Sequence, residues 1–156
     1  MVDGSTNWHI AHHLLNSGMR LTLIHALTGV CPSRLRYLYK SKNGESAPPG
    51  RTPNNAQALI RNRKQALEVA MFINYYDIVS RRMGNSGGCQ VMDAGVMAEA
   101  YDLYVGMTAT PMDITAASCI IRDVADGRLT VRRCSGCGMI YVYAWANEAL
   151  QACPMC

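Results

Sequence analysis

Aromatic side chains are scarce in this 156-residue chain: 7% of the whole, with one phenylalanine against eight tyrosines. Ten methionines are available to fill the irregular gaps that aromatics would otherwise occupy. No apolar stretch is long enough to cross a bilayer, so no membrane partner is expected. The segment Met1 to Trp8 has neither a basic n-region nor an apolar h-region, which argues against secretion and for a cytoplasmic location. There is no serine or cysteine nucleophile beside a histidine and an acid, and no phosphate-binding glycine motif. Nothing in the chain therefore supports an enzyme. Internal repeats and low-complexity tracts are also absent.

What is present is concentrated at the C-terminal end. Cys134-Ser-Gly-Cys137 and Cys153-Pro-Met-Cys156 are two Cys-x-x-Cys pairs separated by fifteen residues. Each pair predicts a tight knuckle with two sulfurs on one side, and together they predict a metal site. Four thiolates in a tetrahedron suit one structural Zn²⁺ and leave no open position for a substrate. Iron accepts the same ligands, so a rubredoxin-like electron carrier is the competing reading, with Tyr141, Tyr143 and Trp145 shielding the site. Two disulfides fit poorly, because Cys31, Cys89 and Cys119 bring the total to an odd seven. Those three are expected to behave as small buried hydrophobes.

Hydrophobic residues make up 49% of the chain, enough for one compact domain, or for one domain and a small appendix. The net charge of +4 is modest, but it is unevenly spread. From Arg20 to Arg82 there are eleven bases against three acids, a net of +8. From Met83 to Asp126 there is one base against six acids, a net of −5. That asymmetry predicts a basic face for a polyanion and a different surface for another partner. An adaptor that docks a protein through the acidic half, without touching DNA, is the rival from another class.

The helical pattern places these charges. A first helix is expected over about Asn7–Asn16, capped by Ser5 or Thr6 and ended at Gly18; His9, His12 and His13 on it are given surface or packing roles. A second is expected over Met19–Thr28 and a third over Pro32–Lys40, the proline opening it. On the third, Leu35, Leu38 and Tyr39 share one face; Arg34, Tyr37 and Ser41 share another; Arg36 and Lys40 lie a turn apart. Helix, glycine turn and short basic helix form a helix-turn-helix pattern, whose physics suits DNA. After a Gly/Pro-rich loop, one long helix is expected over Asn54–Arg82, packing through Ile60, Leu67, Met71 and Ile78. Further helices follow over about Val91–Gly106 and from Asp113 to Gly127. Leu129–Arg132 and Met139–Tyr143 read as strands of a zinc-ribbon hairpin. The expected architecture is mostly α, with residues 1–127 a helical domain for DNA and partner binding and residues 128–156 a zinc module.

Arg34-Leu-Arg-Tyr-Leu-Tyr-Lys40, the Gly/Pro-rich loop, the long helix, Asp126-Gly-Arg-Leu and the two cysteine pairs, taken together, resemble the FlhC family. FlhC is the C subunit of the master activator of flagellar genes, and related proteins activate transfer genes of conjugative elements. The resemblance implies a hetero-oligomer with a smaller D-type, FlhD-like subunit that binds promoter DNA and recruits RNA polymerase. It implies zinc on Cys134, Cys137, Cys153 and Cys156. It makes the helix with Arg34, Arg36, Tyr37 and Lys40 the DNA-facing candidate, joined by Arg20, Arg61, Arg63 and Lys64 from the same basic segment. Members of that family usually continue beyond the fourth cysteine, whereas this sequence stops on it.

Overall fold

A computed structural model of the chain describes residues 4–156; Met1, Val2 and Asp3, part of the N-terminal segment read above, lie outside the described residues. Six helices precede one hairpin: α1 Gly4–Asn16, α2 Leu21–Thr28, α3 Pro32–Asn43, α4 Arg63–Arg82, α5 Ala94–Met107 and α6 Ile114–Ala125, then β1 Thr130–Arg133 and β2 Ile140–Tyr143. Short 3₁₀ turns occupy Ala56–Leu59, Gly88–Gln90 and Glu148–Leu150. The mostly α architecture with a terminal hairpin is as expected. Among the described residues no helix is long and apolar enough to cross a membrane.

The first three helices pack on one another. Gly18 takes φ 91° and ends α1, and Gly29 takes φ 71° and ends α2, both in the left-handed region that glycine enters without strain. Pro32 opens α3, where its missing N–H costs nothing. Three boundaries differ from expectation, one of them the end of α3, which runs on to Asn43 beyond Lys40. Helix α1 begins at Gly4, so Ser5 and Thr6 lie in its first turn and do not cap it at Asn7. Helix α2 begins at Leu21 and not at Met19, with Arg20 extended at its N-cap and its backbone N–H donated to the Thr115 hydroxyl. Thr28 is buried and folds its hydroxyl onto the Ile24 carbonyl, and that residue's own carbonyl accepts from Asn7 of α1. This threads the turn of the motif into the first helix.

The expected single helix over 54–82 is corrected: a 3₁₀ turn at Ala56–Leu59 and an extended Ile60 (φ −107°, ψ 94°) come before α4. Side-chain capping sets the break. Asn62 accepts from the Gln65 N–H, and Gln65 reaches back to the N–H of Arg61. The packing face is also corrected. Helix α4 buries Val69, Phe72, Ile73, Tyr76 and Val79, whereas Ile78 is 61% exposed and Leu67, Met71 and Tyr75 are half-buried. Between Ala66 and Val79 only Glu68, Asn74 and Asp77 interrupt the apolar residues, which fall on every side, so periodicity alone does not single out one stripe. The aromatic cluster does. Phe72 lies 5.6 to 6.4 Å, centroid to centroid, from Tyr76, Tyr101 and Tyr104.

Tyrosine outnumbers phenylalanine for a visible reason. Tyr76 donates to the Val91 carbonyl, Tyr101 donates to the Met112 carbonyl, and Tyr104 accepts from the Met112 N–H. Each ring fills the core while its hydroxyl satisfies a loop backbone group. Buried Asp123 works similarly. It accepts from the Ala56 N–H at 2.8 Å and from Arg122, fastening the 3₁₀ turn before α4 to α6.

The hairpin belongs to the same apolar core as the helices, through Ile140, Val142 and Leu150. Asn74 of α4 holds it there. Its amide donates to the Ile140 carbonyl at 2.8 Å, and its oxygen accepts from the Ile140 N–H at 3.0 Å. One carboxamide thus satisfies both backbone groups at the start of β2. Asn74→Ala is expected to leave both buried and unpaired, lowering stability by about 2 kcal/mol or more, read as a shifted denaturant midpoint at unchanged slope.

Candidate metal centre and nucleic-acid interface

Antiparallel pairing sets Thr130 opposite Tyr143 and Arg133 opposite Ile140, so β1 delivers the chain to Cys134. The first knuckle then closes by backbone bonds: Gly138 N–H to the Cys134 carbonyl, and Cys134 N–H to the Met139 carbonyl, both 2.9 Å. Gly138 sits at φ 75°, a conformation that a side chain would strain. Beyond β2 the chain turns through Asn147, which accepts from Ala149 N–H and donates to the Ile60 carbonyl. That return brings the second pair of cysteines onto the first.

The four sulfurs of Cys134, Cys137, Cys153 and Cys156 all lie within 4.8 Å of one another. Cys134 and Cys156 are 3.7 Å apart, as are Cys137 and Cys153. Sulfurs at the corners of a tetrahedron with metal bonds of about 2.3 Å are separated by about 3.8 Å, so the cluster fits a tetrahedral thiolate centre. All four are free thiols. The set can hold a metal ion.

The thiols are electrostatically unlike. Backbone N–H groups of Cys137 and Gly136 point at the Cys134 sulfur and pull its pKa down to about 6; hydrogen bonds shared with Cys137 and Cys134 push Cys156 up to about 12. Cys134 is thus the thiol of the set most readily ionised to a metal-ligating thiolate. Metal release is expected to grow as the solution is acidified, because protons compete for all four thiolates, and a chromophoric chelator would record it.

The remaining cysteines divide. Cys89 and Cys119 are buried, as expected, and burial pushes Cys89 up to about 11. Cys31 corrects the expectation: it is exposed at the start of α3, and the Ser33 hydroxyl lowers its pKa. Its neighbour in sequence is the basic helix, and nothing apolar covers it.

The basic residues singled out by sequence fall into two groups. On α3, Arg36, Tyr37 and Lys40 are exposed, Tyr37 by 78%, while Leu35 is buried and Leu38 and Tyr39 are half-buried against the core. Arg34 lies 5.3 Å from the ring of Trp8 on α1, a cation–π contact that fixes its guanidinium over the helical unit. Arg20 and Arg36 line one cleft of about 560 Å³ with His25, Tyr39 and Pro49. The second group is elsewhere. Arg61 donates to the Ala58 carbonyl, and Arg63 and Lys64 open α4 in the open. Arg61 borders a shallow cleft with Asn147 and Glu148, in the turn that follows β2.

Three basic residues escaped the sequence reading: Arg128, Arg132 and Arg133, around β1. Arg132 sits 3.4 Å over the Tyr143 ring, and Arg133 donates to the Gly138 carbonyl at 2.7 Å. Alternation in Thr130-Val-Arg-Arg was the available clue, since it sets Val131 inward and Arg132 outward. The metal-shielding role considered for Trp145 is corrected, because that side chain is 80% exposed. His12 bonds Asn16 and His13 pairs with Asp102 of α5 at 2.9 Å, ordinary surface roles as expected.

With this geometry in place, the comparisons are direct. The family model for the flagellar transcriptional activator FlhC matches residues 1–156. The flagellar transcriptional regulator FlhC of Yersinia enterocolitica is 26% identical over 163 residues, taking in 100% of this chain and 81% of that protein. The FlhC regulator of Serratia marcescens is 27% identical over 164 residues, with 100% and 80% covered, and that of Paraburkholderia atlantica is 29% identical over 154 residues, with 94% and 68% covered. These are transcriptional regulators and not enzymes. A match along the whole chain, with the four-cysteine cluster and the helical architecture the resemblance implied, makes this protein a member of the FlhC family of flagellar transcriptional activators.

Proposed function

We propose that this protein is the sequence-specific DNA-binding subunit of a hetero-oligomeric activator, acting in the cytoplasm on promoters of flagellar or conjugative-transfer genes. The observation that carries the reading is α3. It anchors through Leu35 and turns Arg36, Tyr37 and Lys40 outward, with Arg34 fixed on Trp8. A short exposed basic helix propped by two others is a shape that enters a major groove, where arginine reads guanine edges and lysine meets phosphate.

Arg61, Arg63 and Lys64 support a second contact with the DNA backbone. Cations in the first turn of a helix oppose its dipole, and α4 has no acid there. They do not serve the helix, and they suit an external phosphate. Zinc on Cys134, Cys137, Cys153 and Cys156 is the metal we assign, as a structural ion that locks the hairpin against α4. Elemental analysis of protein purified without added metal tests this: one zinc per chain is expected, and iron with a red colour would return the electron-carrier reading.

A smaller D-type subunit and RNA polymerase are the proposed protein partners. Helix α4 leaves Ile78 61% exposed, with Leu67, Met71 and Tyr75 half-buried, and nearby Met83 is 51% exposed. Such a surface suits a permanent subunit contact better than free solvent. In this reading residues 1–127 meet DNA and the partner, and residues 128–156 supply the metal-bound module. The test is binding of labelled duplexes taken from upstream of flagellar operons, titrated with salt. A slope equivalent to several phosphates supports the reading, and salt-insensitive or absent binding would favour an adaptor.

A further inference from the structure

The hairpin has one face packed on α4 and an opposite face on which Thr130 and Arg132 are exposed and Tyr141 and Tyr143 half-buried. Register assigns the residues to each. Val131, Val142 and Ile140 point inward. Thr130, Arg132, Tyr141 and Tyr143 share the opposite face, with Thr130 across from Tyr143 and Arg132 across from Tyr141. Immediately beyond β2, Trp145 is the most exposed large hydrophobic side chain of the described residues. In a chain with only 7% aromatics, three of them stand at or next to one small open surface.

The face carries no aliphatic side chain and no acid. Its one charge is Arg132, stacked 3.4 Å over Tyr143. Among the described residues Arg132 makes no ion pair and no hydrogen bond, so the N–H edge of its guanidinium is free for a phosphate while the stack holds it in place. The backbone bonds of the first knuckle and the Asn74 clamp fasten the hairpin in place. The turn just after Trp145 reaches toward the basic segment, since Asn147 bonds the Ile60 carbonyl and Ala146, Asn147 and Arg61 line one shallow cleft.

We propose that this open face, made by Tyr141, Tyr143 and Arg132 with Trp145 beyond, is a stacking platform for unpaired bases of single-stranded DNA. Trp145 is 80% exposed and Tyr141 and Tyr143 are half-buried; such rings offer π-faces to any base, and the arginine stacked on Tyr143 adds a cation–π and phosphate contact. Duplex DNA hides those base faces, so the platform acts only where strands are separated or unstacked. The inference rests on the promoter-binding reading and gives the activator a second, structurally distinct DNA contact away from α3.

The test uses the full chain with its D-type partner and a labelled mixed-sequence DNA strand of about 12 nucleotides, within the usual site size of such surfaces. Trp145→Ala and Tyr143→Ala are each expected to weaken single-strand binding by about 5- to 150-fold, the range set by about 1–3 kcal/mol per stacked base. Tyr143→Phe keeps the ring and should retain binding. Duplex promoter binding should stay unchanged in all three, with metal content confirming that the module is folded. Lys40→Ala should show the reverse pattern. Absent single-strand binding with intact duplex binding would overturn the platform alone. Loss of both in the unmodified protein would mean the promoter reading itself has failed. A greater loss for RNA than for DNA of the same sequence, or loss only of a protein partner, would assign the face to another occupant and overturn the proposal.

Discussion

Cys137→Ser is expected to abolish tight metal binding and to free the hairpin from its docked position while most of the helical signal remains. A serine hydroxyl is neutral at working pH and cannot replace a thiolate in a four-sulfur shell. Structural zinc contributes on the order of 10 kcal/mol or more to modules of this size. Local backbone bonds offer little to replace it, because β1 and β2 have four residues each and an isolated hairpin is marginal in water. The effect should not stop at the metal. Ile140 and Val142 are buried against α4, and Asn74 would lose its partners when β2 loosens. A lowered melting temperature, no metal after dialysis and raised thiol reactivity at Cys134, Cys153 and Cys156 are the expected results. Full metal content with an unchanged melting profile would contradict the structural role.

The second large effect is on α3. Arg36→Ala and Lys40→Ala are each expected to weaken promoter binding, and by different routes. A residue reading a base loses about 1–3 kcal/mol, and the loss is confined to sites that present that base. A residue meeting a phosphate weakens all sequences alike and lowers the salt slope by about one unit. Both side chains are exposed and neither makes a hydrogen bond to the fold, so thermal stability should be unchanged. Arg34→Ala is less clean, because it also removes the Trp8 stack and can shift α3 against α1. Unaltered binding in both the Arg36 and Lys40 variants would remove this helix from the interface.

Local chemistry explains which features were readable before the structure. The cysteine spacing was sufficient for the metal cluster, because knuckle geometry depends only on residues within the motif. The same holds for α2 and α3, where Gly29 and Pro32 mark the turn and Leu35 marks the buried side. Helix α4 failed that logic. Its apolar residues between Ala66 and Val79 fall on every side, so the true stripe through Phe72, Ile73 and Tyr76 was decided by distant rings on α5. Its start was missed because Asn62 and Gln65 cap it, a pairing hidden by the apolar run that follows. Asn74 was invisible for a similar reason. One polar residue inside Met71-Phe-Ile-Asn-Tyr-Tyr76 acquires meaning only when β2, 66 residues later, lies against it. The open hairpin face required strand register, which sequence fixed only by alternation over four residues. Cys31 was misplaced because the sequence around it is mixed, and only the fold shows that nothing covers it.

The measurement that bears most directly on the account is selection from a pool of genomic fragments at about 0.15 M salt, with the D-type subunit present and absent, followed by a salt titration of the winners. The account predicts a small discrete set of promoter fragments, enriched most strongly with the partner, a slope of several phosphates, and loss of that enrichment in the Arg36 and Lys40 variants. Uniform recovery of all fragments, or none with the partner present, would contradict it and leave the basic segment a solvated surface.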